Sequence, residues 1–229
     1  PVSLGRSFAH HIPEVLKLCF ACTADDMEPV RDAAMRACNI IMNSFWDSSM
    51  DYIRPVLLSN MLDESWRVQE ASLNCLHELF SKAMDTDPAQ AARDSSKVVM
   101  KVFGDDCTKS LLTMLYILRF DTSAVVSQRA IVIWKTVVAN PPRMLQEIFS
   151  NFRTVLVSCL SSSSSHKQVV ASRALGDLVE RLANKVLPAV IPVLENGLDQ
   201  PDEYMRQGVC IGLAELIRAA GREHLTTYI

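Results

Sequence analysis

The residues closest to a metal-site pattern are Cys19 and Cys22, a C-x-x-C spacing with His10 and His11 upstream. A structural zinc site needs four ligands, which normally come from two such pairs. The sequence contains no second pair. Two cysteines three residues apart also share one face of an α-helix, and that is the interpretation we favour. We therefore expect neither a metal nor any other cofactor.

Side chains that could support nucleophilic or acid–base catalysis are not arranged for it. The five histidines are accompanied by no Gly-x-Ser-x-Gly turn or other nucleophile signature. The carboxylate pairs Asp25-Asp26 and Asp105-Asp106 fall in predicted turns, where helix capping explains acidic residues. No glycine-rich segment carries the lysine of a phosphate loop. We predict a protein that is not an enzyme and has no small-molecule substrate.

Composition indicates a large apolar core without strong net charge. The chain has 229 residues, of which 49% are hydrophobic, and a net charge of −3. This balance provides no general attraction to nucleic acid or to an anionic membrane. No apolar stretch reaches the roughly 20 residues of a membrane span. The seven cysteines are odd in number and lack disulfide spacing, so we expect buried free thiols at Cys38, Cys75 and Cys210.

One helical stripe of small or apolar residues recurs along the chain. Its further members follow the first at offsets of 4, 7, 8 and 11 residues, which is one face of an α-helix. A second apolar helix precedes each stripe, as in helical-pair solenoids of the HEAT kind. The pattern predicts an all-α HEAT-repeat α-solenoid, a right-handed stack of about five antiparallel helix pairs. The stripes begin at Val30, Val68, Val126, Val170 and Met205.

We interpret residues 1–229 as a single segment of a longer solenoid. A polar insertion at 82–106 is expected to be a solvated loop, the alternative being a further short helix over Ala89–Phe103. The turns inside the pairs carry residue types that cap helices, five positions before the stripe. These expected caps are Asp25, Asp63, Asp121 and Ser165. The approximate repeats are 8–46, 50–82, 107–140, 141–183 and 184–221.

Arginines near the start of the second helices are the first candidates for a contact surface. Arg31 and Arg206 directly follow the first stripe residue, and Arg129 and Arg173 follow it by three positions. They could form a partner-binding ridge, because repeat proteins bind partners along such surfaces. Alternatively they bond to the turn aspartates and brace the scaffold.

A second contact candidate is Trp66 beside Arg67, in a predicted turn. Tryptophan and arginine are the residue types that carry much of the binding energy at protein interfaces. Trp134, in contrast, falls on the apolar stripe and is expected in the core.

The second half of the chain carries a more specific likeness in several ordered blocks. These are Arg119-Phe-Asp121-Thr122, Ile133-Trp134-Lys135, Asn140-Pro-Pro142-Arg143 with Glu147-Ile148, Ala174-Leu-Gly-Asp-Leu-Val179, Leu187-Pro188 through Ile191-Pro192, and Arg206-Gln-Gly-Val-Cys-Ile-Gly-Leu213 with Glu215. From about Cys107 to Arg218 the sequence resembles the general control non-derepressible kinase activator family. That family is the ribosome-bound translational activator of the initiation-factor-two alpha kinase.

The resemblance implies a long cytoplasmic HEAT solenoid without catalytic residues. Its implied partners are the ribosome, the initiation-factor-two alpha kinase and an ATP-binding-cassette protein, in the response to amino-acid starvation and ribosome stalling. Two other classes stay open. One is a tubulin-binding HEAT array, whose first turn typically carries an exposed tryptophan with basic neighbours. The turn Asp63–Arg67 partly resembles this pattern. The other is a generic HEAT adaptor, such as a transport receptor or a phosphatase scaffold.

Overall fold

A computed structural model describes residues 8–225, and the side chains of residues 8–221. Within that range every regular element is helical and none is a β-strand, so the predicted all-α architecture is confirmed. No helix of the described part is both long and apolar enough to cross a lipid bilayer. The helices are α1 (Ile12–Cys22), α2 (Glu28–Phe45), α3 (Met50–Asn60), α4 (Trp66–Asp85), α5 (Pro88–Phe103), α6 (Asp105–Leu118), α7 (Ala124–Val137), α8 (Pro141–Leu160), α9 (Ser165–Leu198) and α10 (Glu203–Leu225).

The described residues form two compact units. Unit 1 contains those up to Leu115 together with Ser123–Ala139, and unit 2 contains Tyr116–Thr122 together with those from Asn140 onward. The five repeat boundaries stay a prediction, as does the right-handed stacking.

Unit 1 is built in two layers of helices. The first helices α1 and α3 pack side by side, and the second helices α2, α4 and α7 pack in that order. The predicted stripe positions supply the core between the layers: Ala34, Cys38, Val68, Cys75 and Ile133 are buried. Trp134 is only 4% exposed, so its assignment to the core is confirmed. The 3.6-residue period thus places the apolar face of each second helix correctly.

The expectation of a solvated loop at 82–106 is wrong. Helix α4 continues to Asp85, and α5 then packs on both α4 and α7, which still contact each other directly. Asp87 caps α5 by accepting a hydrogen bond from the Gln90 N–H at 3.1 Å. Val98 and Val99 are buried, and these two apolar residues are what a loop interpretation overlooks. The alternative short helix is the one observed.

Helix α5 bends at Asp94, where φ is −157° and ψ is 89°. The Asp94 carboxylate accepts hydrogen bonds from the Ser96 hydroxyl at 2.6 Å and from the Lys97 N–H at 3.4 Å. It therefore acts as a second cap inside the helix. At the far end, Phe103 contacts the rings of Trp46 and Phe80 with centroids 6.4 Å away in each case.

Unit 2 brings α10 unusually close to the end of α8. An added Cβ at Gly208 would overlap the main chain of Leu160, so only glycine permits this approach. The buried Gln168 holds the same region: its amide nitrogen donates to the carbonyls of Leu160, Ser162 and Tyr204 at 3.2, 2.8 and 2.9 Å. One side chain therefore joins the end of α8, the turn that follows and the first turn of α10.

The expected N-caps are displaced from their predicted positions. The observed cap residues are Met27, Ser65, Ser123 and Ser164. Asp25 and Asp63 lie two residues earlier, where each carboxylate accepts the main-chain N–H of the cap residue at 2.8 Å. These aspartates fix the turn rather than the helix end, because an Asx turn engages a donor two residues ahead.

All seven cysteines are free thiols. Cys38 and Cys75 are completely buried, as predicted, but Cys210 is exposed, so that prediction is wrong. Cys210 follows Val209, which occupies the core position of this turn of α10, so its own side chain faces outward. Burial raises the pKa of Cys19 to about 11, assisted by Cys38 and Cys22.

We predict that Gly208→Ala lowers the free energy of unfolding by about 2 kcal/mol or more, because the new methyl group forces main chain against main chain. Gly212→Ala is the matched control in the same helix. Its Cβ would meet leucine methyl groups at 3.6 Å, an ordinary contact, so its effect should be within about 1 kcal/mol. Urea unfolding followed by circular dichroism compares the two, and equal stability of both variants would contradict the close approach.

Thiol labelling of the native chain should separate the cysteines by burial. Cys22 and Cys210 should react first with an aromatic disulfide reagent, because their thiols are exposed. Cys38 and Cys75 should react only after unfolding. Peptide mapping by mass spectrometry identifies the order, and rapid labelling of Cys75 in the folded chain would be inconsistent with this core.

Candidate partner-binding groove

The seam between α2 and α4 in unit 1 leaves an open groove of about 360 Å³. Both helices contribute residues from their first three turns, and the small, buried Ala71 is part of the lining. Three of the six contact residues predicted from the sequence lie here: Arg31, Trp66 and Arg67. The lining residues are Thr23, Arg31, Asp32, Met35, Trp66, Arg67, Glu70, Ala71 and Asn74.

Trp66 is the first residue of α4 and is 42% exposed, which is a large apolar area for a solvent-facing side chain. The guanidinium carbon of Arg67 lies 5.0 Å from the centre of its ring. This is a cation–π arrangement, and it covers part of the indole while the rest faces the groove. The Asx turn at Asp63 fixes the main chain directly before Ser65, so the tryptophan projects from a defined turn.

Arg31 forms hydrogen bonds to the turn that precedes its own helix. Its Nη1 donates to the carbonyl oxygens of Asp25 and Asp26, both at 2.8 Å. These acceptors belong to the turn aspartates but are main-chain oxygens, not carboxylates. In unit 2, Arg206 repeats the arrangement, with Nη1 donating to the carbonyls of Gln200 and Pro201 at 2.8 and 2.7 Å. Two of the four predicted ridge arginines thus brace turns in equivalent ways.

The other two arginines have different surroundings. Arg129, in unit 1, is half-buried, and its Nε has no hydrogen-bond partner among the described residues. Arg173 is exposed in unit 2, where it lines a groove of about 310 Å³ with Phe120, Asp177, Glu180, Glu215 and Arg218. A contact role for these residues therefore stays a prediction.

A polar network around the buried Tyr116 in unit 2 has no counterpart among the predicted site residues. The hydroxyl of Tyr116, a fully buried side chain, donates to Asp177 Oδ2 at 2.7 Å. Arg181 donates to both carboxylate oxygens of Asp177, at 2.8 and 3.0 Å. Burial alone would raise the pKa of Asp177, but the hydrogen bonds from Arg181 and Tyr116 outweigh it, and the pKa is lowered. The sequence does indicate this network, because Asp177 and Arg181 are polar residues at positions of the apolar stripe that begins at Val170.

Neither unit offers the chemistry of a metal centre in its described part. No group of three or more histidine, cysteine, aspartate or glutamate side chains is placed there to hold an ion. In the C-x-x-C segment, Cys19 is half-buried and Cys22 is exposed. Burial raises the pKa of the Cys19 thiol, so this thiol is protonated at neutral pH.

Comparison with known proteins connects this architecture to one group of relatives. Residues 2–102 match the family described as the EF3 N-terminal HEAT repeat. Together with the helical architecture, this match confirms the all-α HEAT-repeat fold class. An engineered protein of known crystal structure has a TM-score of 0.35, with 17% identity over 93% of this chain and 87% of its own.

Several curated relatives match nearly the whole chain. The stalled ribosome sensor GCN1 of Mus musculus is 33% identical over 97% of the chain. The eIF-2-alpha kinase activators GCN1 of Dictyostelium discoideum and Saccharomyces cerevisiae are 31% and 32% identical, over 96% and 100% of it. The chain spans only 9% of the length of each of these relatives.

We predict that Arg31→Ala lowers the free energy of unfolding by about 1–2 kcal/mol, because two turn carbonyls lose a charged donor. Arg36→Ala provides the control, since Arg36 is an exposed arginine of the same helix and should change stability by no more than about 0.5 kcal/mol. Chemical denaturation of both variants measures the difference. If Arg31→Ala were as stable as Arg36→Ala, the bracing role would be excluded.

Proposed function

We propose that this chain, which belongs to the family of the GCN1 proteins, is a non-catalytic scaffold segment of a ribosome-associated activator of the initiation-factor-two alpha kinase. The observation that carries the proposal is identity of 31–33% to such proteins over almost all of the chain. The names of these relatives join two activities, sensing of stalled ribosomes and activation of the kinase. A scaffold that contacts both would place the kinase where the stall occurs.

The proposed setting is the cytoplasm, during amino-acid starvation and ribosome stalling. The proposed partners are the ribosome, the kinase and an ATP-binding-cassette protein. None of these roles requires a reaction by this chain. A repeat scaffold acts by presenting surfaces at fixed positions, and its curvature and stiffness come from helix pairs that each pack on their neighbours.

The groove between α2 and α4 is the best-supported contact surface for this role. It combines an exposed tryptophan with an adjacent arginine, which are residue types enriched among interface hot spots. The braced turns on either side keep Trp66 in a defined position. Pre-organisation of this kind improves affinity, because little side-chain entropy is lost on binding.

We predict that Trp66→Ala reduces binding of the chain to purified ribosomes by about tenfold or more, because the main apolar anchor of the groove is lost. Tyr204→Ala is the matched control, since Tyr204 is an aromatic residue of equal exposure (42%) in unit 2. Sedimentation through a sucrose cushion measures the bound fraction, and thermal melts verify that both variants stay folded.

Two outcomes contradict the proposal. One is a wild-type chain that does not sediment with ribosomes at any accessible concentration. The other is sedimentation with polymerised tubulin in a parallel assay, which favours the tubulin-binding class instead.

A further inference from the structure

In the groove between α2 and α4, the carboxylates are more available to a partner than the arginine side chains are. Both arginines already have partners within the chain: Arg31 donates to two turn carbonyls and Arg67 lies over the Trp66 ring. Asp32 on the α2 wall and Glu70 on the α4 wall have no hydrogen bond or ion pair with any described residue. The groove therefore presents two carboxylates that form no ion pair with a described residue, beside two guanidinium groups that are held against the turn and the indole.

The apolar part of the groove lies beside these carboxylates. Met35 and Ala71 belong to the same walls, and Trp66 leaves much of its ring uncovered. A volume of about 360 Å³ is at the lower end of the range for ligand clefts, and it suits one or two side chains. The half-buried Asn74 adds an amide that can both donate to and accept from a peptide main chain.

We propose that this groove binds a basic, partly apolar segment of a protein partner. A lysine or arginine side chain of the partner places its charged end between Asp32 and Glu70. Its methylene groups cover the free part of the Trp66 ring, as long basic side chains do over apolar surface. The proposal rests on the scaffold function proposed above and names the chemistry of the segment that this surface accepts.

An RNA backbone is the alternative occupant, and the groove disfavours it. Phosphate groups are bound by arginine and lysine side chains that are free to reach them. Here Nη1 of Arg31 is held by two turn carbonyls and Arg67 lies over the Trp66 ring, while the carboxylates of Asp32 and Glu70 stand on both walls and repel phosphate. Like charges brought together across an interface are unfavourable, so the same two residues that attract a basic segment disfavour RNA.

The test measures binding of three probes to the 229-residue chain. These are a short peptide that alternates leucine and lysine, the same peptide with glutamate in place of lysine, and a short single-stranded oligouridine. Trp66 is the most exposed of the three tryptophans, so its fluorescence should shift to shorter wavelength when a side chain covers it. We expect binding of the lysine peptide only, with an affinity that falls as salt increases.

Charge reversal identifies the residues responsible. The double variant Asp32→Lys with Glu70→Lys should lose about tenfold or more in affinity for the lysine peptide, because two attractions to the peptide's ammonium groups become repulsions. Its control is Asp47→Lys with Glu78→Lys, which makes the same charge change at exposed positions outside the groove. The milder pair Asp32→Asn with Glu70→Gln gives the same readout if the reversed chain unfolds.

Three outcomes would overturn the inference: equal loss in the groove variant and its control, preferential binding of oligouridine or of the glutamate peptide, or no binding of the lysine peptide. Ribosome sedimentation of the same variants separates this inference from the function proposed above. If charge reversal abolishes peptide binding but the chain still binds ribosomes, the groove has the specificity proposed here. The groove is then not part of the surface that contacts the ribosome. Ribosome binding without any peptide binding rejects the inference alone.

Discussion

The main-chain carbonyls at the turns between helices are the constraint around which both units are organised. A helix ends with carbonyl groups that have no partner within it, and a chain that reverses direction after a few residues leaves several of them together. Arg31 and Arg206 each supply two hydrogen bonds to such carbonyls from the first turn of the next helix. Gln168 does the same for the carbonyls of Leu160 and Ser162, and it donates a third hydrogen bond to Tyr204 in α10. The donor differs, but in each case it reaches back to the carbonyl six residues before it.

This requirement decides which polar residues can serve a partner. Arg31 combines residue type, exposure and register in a way that suggests a contact surface, yet its Nη1 is used by its own turn. Residues beside it on the helix, which satisfy no turn, are free to bind something else. Asp32 is adjacent to Arg31 in sequence and faces the groove without a partner of its own. The scaffold and contact functions are thus divided between neighbouring residues of one helical turn.

The apolar stripes could be predicted from the sequence because they depend only on helical period and burial. Val126, Ala130 and Ile133 are all fully buried, as that pattern requires. The polar features could not be predicted in the same way. Asp177 interrupts a stripe because it binds Tyr116, which lies 61 residues earlier, and no local pattern reveals a partner at that distance. Arg181 interrupts the stripe because it binds Asp177. Cys210 shows a different kind of error. It is predicted to be buried but is exposed, because neighbouring residues of a helix face different directions and its neighbour Val209 takes the core position.

The position of α5 explains why the groove lies where it does. This helix packs across α4 and α7, and its residues Val98 and Val99 are buried there. The apolar face of α5 packs against the seam between the second helices α4 and α7. The groove lies on the opposite side of α4, against α2, where Trp66 and Met35 form the apolar part of the lining. The α4–α7 seam accepts a helix of its own chain, and by the same physical reasoning the α2–α4 seam is suited to a segment of another.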